Sequence, residues 1–187
     1  FAADAGGYTY TVTIYAGNQG AFTENIQLFV DHTRSGNTRQ SEVSSQAGIV
    51  TVSNLAKDDI VTVDLQTDAL ELHENSRYYV KGIRKSGRDN NTVATSIFQV
   101  DRDADYVVAY GVQGDMVGYT VNYQDAAGNE LLPSNTYYGN VGDKPVVAYR
   151  YIEGYEPENL ALNKTLVTNE AENVFTFVYS PVGEGGV

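Results

Sequence analysis

Residues 116–133 read MVGYTVNYQDAAGNELLP, and this stretch decides the fold of the region around it. Apolar residues occupy alternate positions of its first half, at Val117, Tyr119, Val121 and Tyr123. Because successive side chains of a strand point to opposite faces, the alternation predicts a strand with one buried and one wet face. Residues 125–129 have the composition of a turn, and Leu131 and Leu132 begin a second strand. Pro133 interrupts that strand, which favours a position at the edge of a sheet.

The sequence after this stretch predicts a short helix and a closing strand. Residues 142–150 (GDKPVVAYR) suit a helix that has Asp143 as its N-cap and Pro145 in its first turn. Gly154 would then end it. Residues 174–179 (VFTFVY) alternate again, which predicts a last strand with three aromatic rings on one face, those of Phe175, Phe177 and Tyr179.

The first 110 residues predict several more strands. The clearest is at residues 8–14, where one face carries Tyr8, Tyr10, Val12 and Ile14. Residues 23–33 fit either a strand or a short helix, and the strand is favoured. Residues 35–48 predict a loop, and residues 68–74 predict one helical turn or a crossing loop. Further strands are predicted at 49–52, 60–65 and 78–83, and a closing hairpin from 93–100 and 106–112.

The front of the chain repeats the pattern of its end. YTVTIY at residues 10–15, followed by Gly17-Asn18, matches YTVNYQ at residues 119–124, followed by Gly128-Asn129. Aligning Tyr10 with Tyr119 places the two copies 109 residues apart. This spacing predicts two tandem modules, at residues 1–114 and 115–182, with residues 183–187 (GEGGV) as a linker.

Composition and charge exclude several classes of function. The formal net charge is −12, whereas a nucleic-acid-binding protein needs a basic surface and an anionic membrane would repel this chain. We therefore expect no nucleic-acid partner, no direct membrane contact and a self-repelling monomer. The absence of cysteine excludes disulfides, thiolate metal sites and cysteine nucleophiles.

The same composition suits a bacterial exported or surface protein. The sequence contains no recognisable signal peptide and no run of about 20 apolar residues that could span a membrane. We therefore expect that the export signal and the cell-wall anchor lie outside this piece of chain.

Residues 117–180 resemble the mucin-binding-type (MucBP) repeats of Gram-positive cell-surface adhesins. The resemblance rests on V-x-Y-x-D-x-x-G at residues 121–128, Gly139 and Gly142, YIEGY at 151–155, and the closing strand. One departure is the single Gly142 before Asp143, where many members have several glycines. The first 110 residues look like a diverged relative. The resemblance implies a ubiquitin-like β-grasp fold for each module, often with a short helix across the sheet, in a wall-attached surface protein. The fold class expected is therefore mainly β or α+β.

Four tyrosines are the candidate contacts for a glycan or host glycoprotein: Tyr137, Tyr138, Tyr149 and Tyr151. A tyrosine ring offers a flat area for stacking on a sugar, and its hydroxyl can form hydrogen bonds. The alternative is that these rings pack between the sheet and its short helix.

Other candidate sites have weaker support. Asp101, Asp103 and Asp105 have the alternate spacing of a calcium loop, but Tyr106 stands where glycine is needed and Val112 where glutamate is needed. A solvated acidic turn is therefore favoured over structural calcium, and no other cofactor is expected. Three lysines near strands are candidates for an isopeptide bond to Asn or Asp: Lys81, Lys144 and Lys164.

The sequence favours a protein without enzymatic activity. The two histidines, His32 and His73, accompany no nucleophile elbow, and no phosphate-binding loop is present. The favoured hypothesis is a fragment of an adhesin that binds mucin glycans or host glycoproteins. The alternatives are a passive stalk and a module that binds immunoglobulin or another protein through a sheet edge.

Overall fold

Strands make up most of the ordered structure in both halves of the chain. The structure, a computed structural model, describes residues 8–65, 68–87 and 93–182. Contacts divide the chain into Phe1–Val112 and Gln113–Val187, which we call unit 1 and unit 2. The predicted linker at 183–187 lies outside the described residues. Within the described ranges, no helix has the length and apolarity needed to cross a membrane.

Unit 1 is built around one five-stranded sheet. Its strands are β1 (Tyr10–Tyr15), β2 (Gly20–Phe22), β3 (Gln27–Asp31), β4 (Glu42–Ser45), β5 (Ile49–Leu55), β6 (Ile60–Asp64), β7 (Leu70–Leu72), β8 (Tyr78–Lys85), β9 (Ile97–Gln99) and β10 (Ala104–Val112). The main sheet has the order β4-β5-β1-β10-β8, and two smaller sheets are β3-β6-β9 and β2-β7. β1 and β10 are parallel, and β5 and β8 flank them in antiparallel pairing.

The core of unit 1 forms where the alternating strands turn their apolar faces together. Val12 and Ile14 of β1 are buried beside Val50 and Val52 of β5, as the alternation predicts. Each such side chain contributes about 1.5–3 kcal/mol through removal of its apolar surface from water. Tyr8 is 81% exposed and lies before β1, so the predicted strand starts too early.

Unit 2 repeats the central arrangement with fewer strands. Its elements are β11 (Met116–Asp125), β12 (Glu130–Asn140), β13 (Val146–Ala148), β14 (Tyr155–Pro157), β15 (Ala161–Asn163), a 3-10 turn (Glu170–Glu172) and β16 (Val174–Pro181). The sheet has the order β12-β11-β16-β14, and β13 pairs separately with β15. β11 and β16 are parallel, whereas β12 and β14 are antiparallel to their neighbours.

Both main sheets therefore have a central parallel pair that joins the first strand of the unit to its last. Antiparallel strands flank this pair on both sides, which is the strand order of a β-grasp sheet. The predicted mainly β class is confirmed. β12 lies at the sheet edge, as Pro133 predicts.

The helix predicted at residues 142–150 is wrong. Val146–Ala148 form β13, in which Val147 lies opposite Leu162 and is buried. Asp143 caps a turn instead of a helix, since its Oδ2 accepts the Asn140 N–H at 3.0 Å. The β-branched Val146 and Val147 also suit a strand better than a helix.

Three predictions in unit 1 are also wrong. The closing hairpin does not form, because β9 pairs with β6 while β10 pairs with β1 and β8. The predicted loop at 35–48 contains β4, a fully exposed edge strand without apolar alternation. Residues 68–74 contain β7 rather than a helical turn or a loop. The strand favoured at 23–33 is confirmed as β3.

Candidate functional site

The sheet of unit 2 has a packed inner face. It carries the buried rings of Tyr119, Tyr123, Tyr137, Phe175, Phe177 and Tyr179. Tyr123 and Phe177 stack with ring centroids 5.9 Å apart, and Tyr119 meets Phe175 edge-on at 5.5 Å. These contacts confirm the predicted aromatic face of the last strand. The inner face is therefore core and is not open to a ligand.

Two of the four candidate tyrosines belong to this core. Tyr137 is 8% exposed and lies opposite Tyr119, with ring centroids 5.6 Å apart. Tyr149 is 3% exposed, and its N–H donates to the Leu160 carbonyl at 3.0 Å. A buried ring cannot stack on a sugar, so Tyr137 and Tyr149 are corrected from contact residues to packing residues.

The other two candidates are exposed, but on different surfaces. Tyr138 is 59% exposed on the face opposite to Tyr137. Tyr151 is 48% exposed and follows Arg150, whose N–H donates to the hydroxyl of the inner-face residue Tyr179 at 3.1 Å. Tyr151 therefore lies on the side of the connection that covers the inner face, and Tyr138 alone of the four lies on the open face.

We call the open face of this sheet the outer face and define it by Thr120, Asn122, Thr136, Tyr138 and Thr176. Thr120 lies opposite Thr136, and Asn122 lies opposite Thr176. Asn122 accepts a hydrogen bond from the Ser134 hydroxyl. Val174 and Val178 alternate with Thr176 along β16 and are half-buried on the same face. The outer face thus combines one exposed aromatic ring with hydroxyl, amide and apolar groups.

Tyr138 and Glu170 both approach Gly118 from the outer face. Tyr138 is opposite Gly118 of β11, and its Cε1 is 3.4 Å from the position that a Cβ on Gly118 would occupy. Glu170 Oε2 is also 3.4 Å from that position and accepts the Gly118 N–H at 2.7 Å. A carboxylate and the Tyr138 ring edge therefore both lie over Gly118 at this end of the outer face.

Glu170 and Asn173 are needed here because β11 extends beyond its parallel partner. The parallel pairing begins at Thr120 and Val174, so Gly118 lies outside it. Asn173 Nδ2 donates to the Gly118 carbonyl at 3.2 Å, which complements the bond from Glu170. Asn173 is fully buried, and its side chain also holds both main-chain groups of Val167, at 2.9 Å each.

Sequence reasoning missed both residues. One signal was available: Asn169, followed three residues later by Glu172, has the form of a helix-capping sequence. Asn169 does accept the Ala171 N–H at 3.2 Å and starts the 3-10 turn that positions Glu170. No local pattern indicated that Asn173 is buried.

Of the three candidate calcium ligands, Asp103 has a hydrogen-bonding role in the fold. Asp103 Oδ1 accepts the Thr11 N–H at 2.8 Å, just before the parallel pairing of Val12 with Ala104 begins. Asp105 lies in β10, and Asp101 is 3.6 Å from Arg102. In the described ranges, no group of three or more His, Cys, Asp or Glu side chains could hold a metal ion.

Removal of the Asp103 cap is expected to destabilise unit 1. Asp103→Ala leaves the Thr11 N–H without this acceptor, which should lower the free energy of unfolding by about 0.5–1.5 kcal/mol. Asp103→Asn retains an oxygen acceptor and should cost less, and Asp101→Ala is the control. Urea unfolding with and without calcium checks this. A calcium-dependent gain in stability that Asp103→Ala removes would instead support a calcium site.

His32, Ser35 and Asp59 form a polar cluster in the described part of unit 1, but not a nucleophile with its base. His32 Nδ1 lies 3.0 Å from Asp59 Oδ1 without hydrogen-bond geometry. The Ser35 hydroxyl donates to the same carboxylate rather than to the imidazole, so serine and histidine are not a nucleophile and its base. Asp59 is fully buried and also accepts the Ala56 N–H at 2.8 Å, which ties two turns together.

The isopeptide candidates remain predictions. Lys164 donates to the main-chain carbonyls of Glu172 and Val174, at 3.3 and 2.8 Å. Lys81 and Lys144 are exposed. Intact mass tests the bond, since its formation removes ammonia or water.

Tyr179, which is buried, and Tyr110, which is half-buried, make stability sensitive to alkaline pH. Burial raises the pKa of Tyr179 and of Tyr110 from 10.0 to about 12. As pH rises, the two hydroxyls lose their protons at a higher pH in the folded chain than in the unfolded chain. Their contribution to the free energy of unfolding is therefore complete below pH 10 and is lost as pH rises towards 12. We expect urea midpoints to fall across that window. Tyr179→Phe should be less stable at pH 8 and should show a shallower decline, because it removes one of the two titrating groups.

Comparison with known proteins identifies part of the chain. Residues 120–180 match the model of the MucBP domain family. Internalin J of Listeria monocytogenes serotype 4b (strain F2365) is 39% identical over 61 residues, which are 33% of this chain and 7% of that protein. The chain thus spans a small part of this curated relative.

A solved structure, the type 2 repeat of the mucus binding protein MUB from Lactobacillus reuteri, aligns over 92% of this chain and 98% of that one. The identity is 12% and the TM-score is 0.28, so the alignment carries no argument about the site. The match of residues 120–180 supports a MucBP-type repeat in unit 2, as the sequence resemblance indicates.

Proposed function

We propose that unit 2 is a binding module of a bacterial cell-surface adhesin and that it contacts mucin glycans or host glycoproteins through its outer face. The observation that carries the proposal is the match of residues 120–180 to the MucBP domain. The same segment presents Tyr138 on an open face of hydroxyl and amide groups. The proposed setting is extracellular, at the cell wall, and the proposed role is adhesion without catalysis.

The chemistry of the outer face suits a carbohydrate. A pyranose ring has an apolar face that can stack on Tyr138, while its hydroxyls can pair with threonine hydroxyls and the Asn122 amide. An open sheet face buries less ligand area than a cleft, so we expect weak binding by one module. Presentation of several copies on one surface would raise the apparent affinity through effective concentration.

Loss of the Tyr138 ring is expected to weaken mucin binding. Tyr138→Ala removes the stacking surface at an exposed position, so binding should fall about five- to tenfold, the scale of a 1–1.4 kcal/mol contact. Tyr151→Ala is the matched control, because it removes an exposed tyrosine from a different surface. Binding of immobilised chain to purified mucin and to a glycan array measures the effect, with circular dichroism as the check of folding.

The array and the mucin assay also separate adhesion from the passive-stalk alternative. A folded wild-type chain that binds neither mucin nor any arrayed glycan would contradict the proposal and favour a spacer. Equal losses for Tyr138→Ala and Tyr151→Ala would argue against the outer face as the contact surface.

A second candidate function is binding of a protein through a sheet edge, and one observation favours it. β12 spans Glu130–Asn140 and lies at the edge of the sheet, paired with β11. An extended peptide could add to such an edge through main-chain hydrogen bonds. Immunoglobulin is one partner to test. A proline substitution in β12 that keeps the fold should abolish this binding, while Tyr138→Ala should leave it unchanged.

A further inference from the structure

The strands that build the outer face carry no positive charge. None of β11, β12, β14 and β16 contains lysine or arginine. Unit 2 has three basic side chains against ten acidic ones, a formal balance of −7. A negatively charged ligand group that lies over these strands would therefore meet no basic side chain of the strands themselves.

Two of the three basic side chains lie near rings of the inner face. The Arg150 guanidinium lies 5.9 Å from the Tyr123 ring centroid. The Lys164 ammonium lies 6.0 Å from the Phe175 ring centroid. It also donates to the main-chain carbonyls of Glu172 and Val174, at the end of the turn that carries Glu170. Both rings belong to the inner face. The third, Lys144, is exposed in the connection between β12 and β13.

Glu170 adds a negative charge where a stacked sugar would lie. Its Oε2 and Tyr138 Cε1 are each 3.4 Å from the same point above Gly118, so the carboxylate and the ring edge both lie over this glycine. Hydrogen bonding to the Gly118 N–H at 2.7 Å holds it there. An ionised carboxylate has about four lone-pair sites, so Glu170 retains acceptor capacity for a ligand hydroxyl.

These features should favour the binding of neutral sugars and disfavour the binding of acidic sugars. A neutral sugar can donate a hydroxyl to Glu170 in a charge-assisted hydrogen bond. A sialic acid carboxylate or a sulfate ester would face a like charge. Repulsion between two like charges about 4 Å apart in water lowers affinity by about fivefold. Salt weakens this repulsion, with a screening length of about 8 Å at physiological ionic strength.

We propose that the outer face selects neutral glycan termini over sialylated or sulfated ones, and that Glu170 is a specificity-determining residue. This inference rests on the proposed glycan-binding function of the same surface. It names the class of ligand, which the domain match leaves open.

The test compares matched ligands with the full chain. We would measure binding to mucin before and after sialidase treatment, and to arrayed glycan pairs that differ only by a terminal sialic acid or sulfate. The variants are Glu170→Gln and Glu172→Gln. Glutamine at 170 removes the charge but keeps an oxygen that can accept the Gly118 N–H. Glu172→Gln makes the same charge change at an exposed position two residues away.

We expect the wild type to bind desialylated mucin at least about threefold more strongly than untreated mucin. Glu170→Gln should raise binding to the sialylated member of each pair by about fivefold at low salt, and Glu172→Gln should raise it by less. The wild-type preference should shrink as salt is raised, a readout that does not depend on how well a variant folds.

Two outcomes distinguish this inference from the function on which it rests. Tyr138-dependent binding that is lost after sialidase or desulfation would overturn the neutral preference and leave glycan binding intact. An equal gain from Glu170→Gln and Glu172→Gln would overturn the assignment of Glu170. Failure of the folded wild type to bind any glycan would overturn the proposed function together with the inference.

Discussion

Asn173→Leu is expected to unfold unit 2 under conditions in which the wild type remains folded. Leucine is close in size but makes no hydrogen bonds, so it orphans the N–H and C=O of Val167 and removes one bond to the Gly118 carbonyl. Each buried polar group left without a partner costs about 1–3 kcal/mol. The Gly118 bond is buried, whereas the two Val167 bonds are part-buried and water can partly replace them. The expected loss is therefore about 2–3 kcal/mol, a large fraction of the stability of a small domain.

Urea unfolding and hydrogen exchange would measure this loss. Protection should fall first at the Thr120 amide, which donates to the Asn173 carbonyl at 2.9 Å. Asn159→Leu is the control, since it makes the same substitution at an exposed position and should change stability by less than about 0.5 kcal/mol. A loss below about 1 kcal/mol for Asn173→Leu would show that Asn173 does not hold this end of the sheet together.

The second large effect is expected from Gly82→Ala in unit 1. Gly82 has φ +141°, and an added Cβ would lie 2.7 Å from the Thr95 carbonyl oxygen and 3.1 Å from the Thr95 nitrogen. Thr95 cannot move away without breaking its bonds to Ile83, at 2.8 and 2.9 Å. The variant therefore combines backbone strain with a steric clash, and we expect a loss of about 2–4 kcal/mol.

Substitutions at two other glycines measure the effect of backbone strain separately from that of the steric clash. Gly87 has φ +83° with no atom within 4 Å of an added Cβ, so Gly87→Ala adds strain alone. Gly48 has the same open surroundings and a φ outside the left-handed region, so Gly48→Ala should be near neutral. Chemical denaturation of the three variants should rank the losses as Gly82, Gly87 and Gly48. A loss at Gly82 no larger than that at Gly87 would contradict the clash.

The alternation of side chains predicted the central strands because it is a local signal with a strong energetic basis. Val12 and Ile14 in β1, and Phe175 and Phe177 in β16, are buried as their spacing predicts. Strands without an apolar face gave no such signal. β4 was missed because its side chains are exposed and its stability depends on main-chain pairing with β5.

The candidate site shows the same division between local and non-local information. Adjacent residues of a strand point to opposite faces of the sheet, so Tyr137 and Tyr138 must lie on opposite faces. Which of the two is buried depends on the register with β11, where Tyr137 meets Tyr119 and Tyr138 meets Gly118. Glu170 and Asn173 join the site from a turn 52 and 55 residues away from Gly118, a distance that no sequence window covers.

The sequence by itself determined the mainly β class, the edge position of β12 and the aromatic face of the last strand, because each follows from neighbouring residues. Only the tertiary structure decided which tyrosine is exposed, that Gly118 lies beside Tyr138 and Glu170, and that Asp103 and Glu170 cap the first strands of their units. The physical reason is that β-sheet partners lie far apart in the chain. Burial, register and the capping of amides are therefore settled only when distant strands meet.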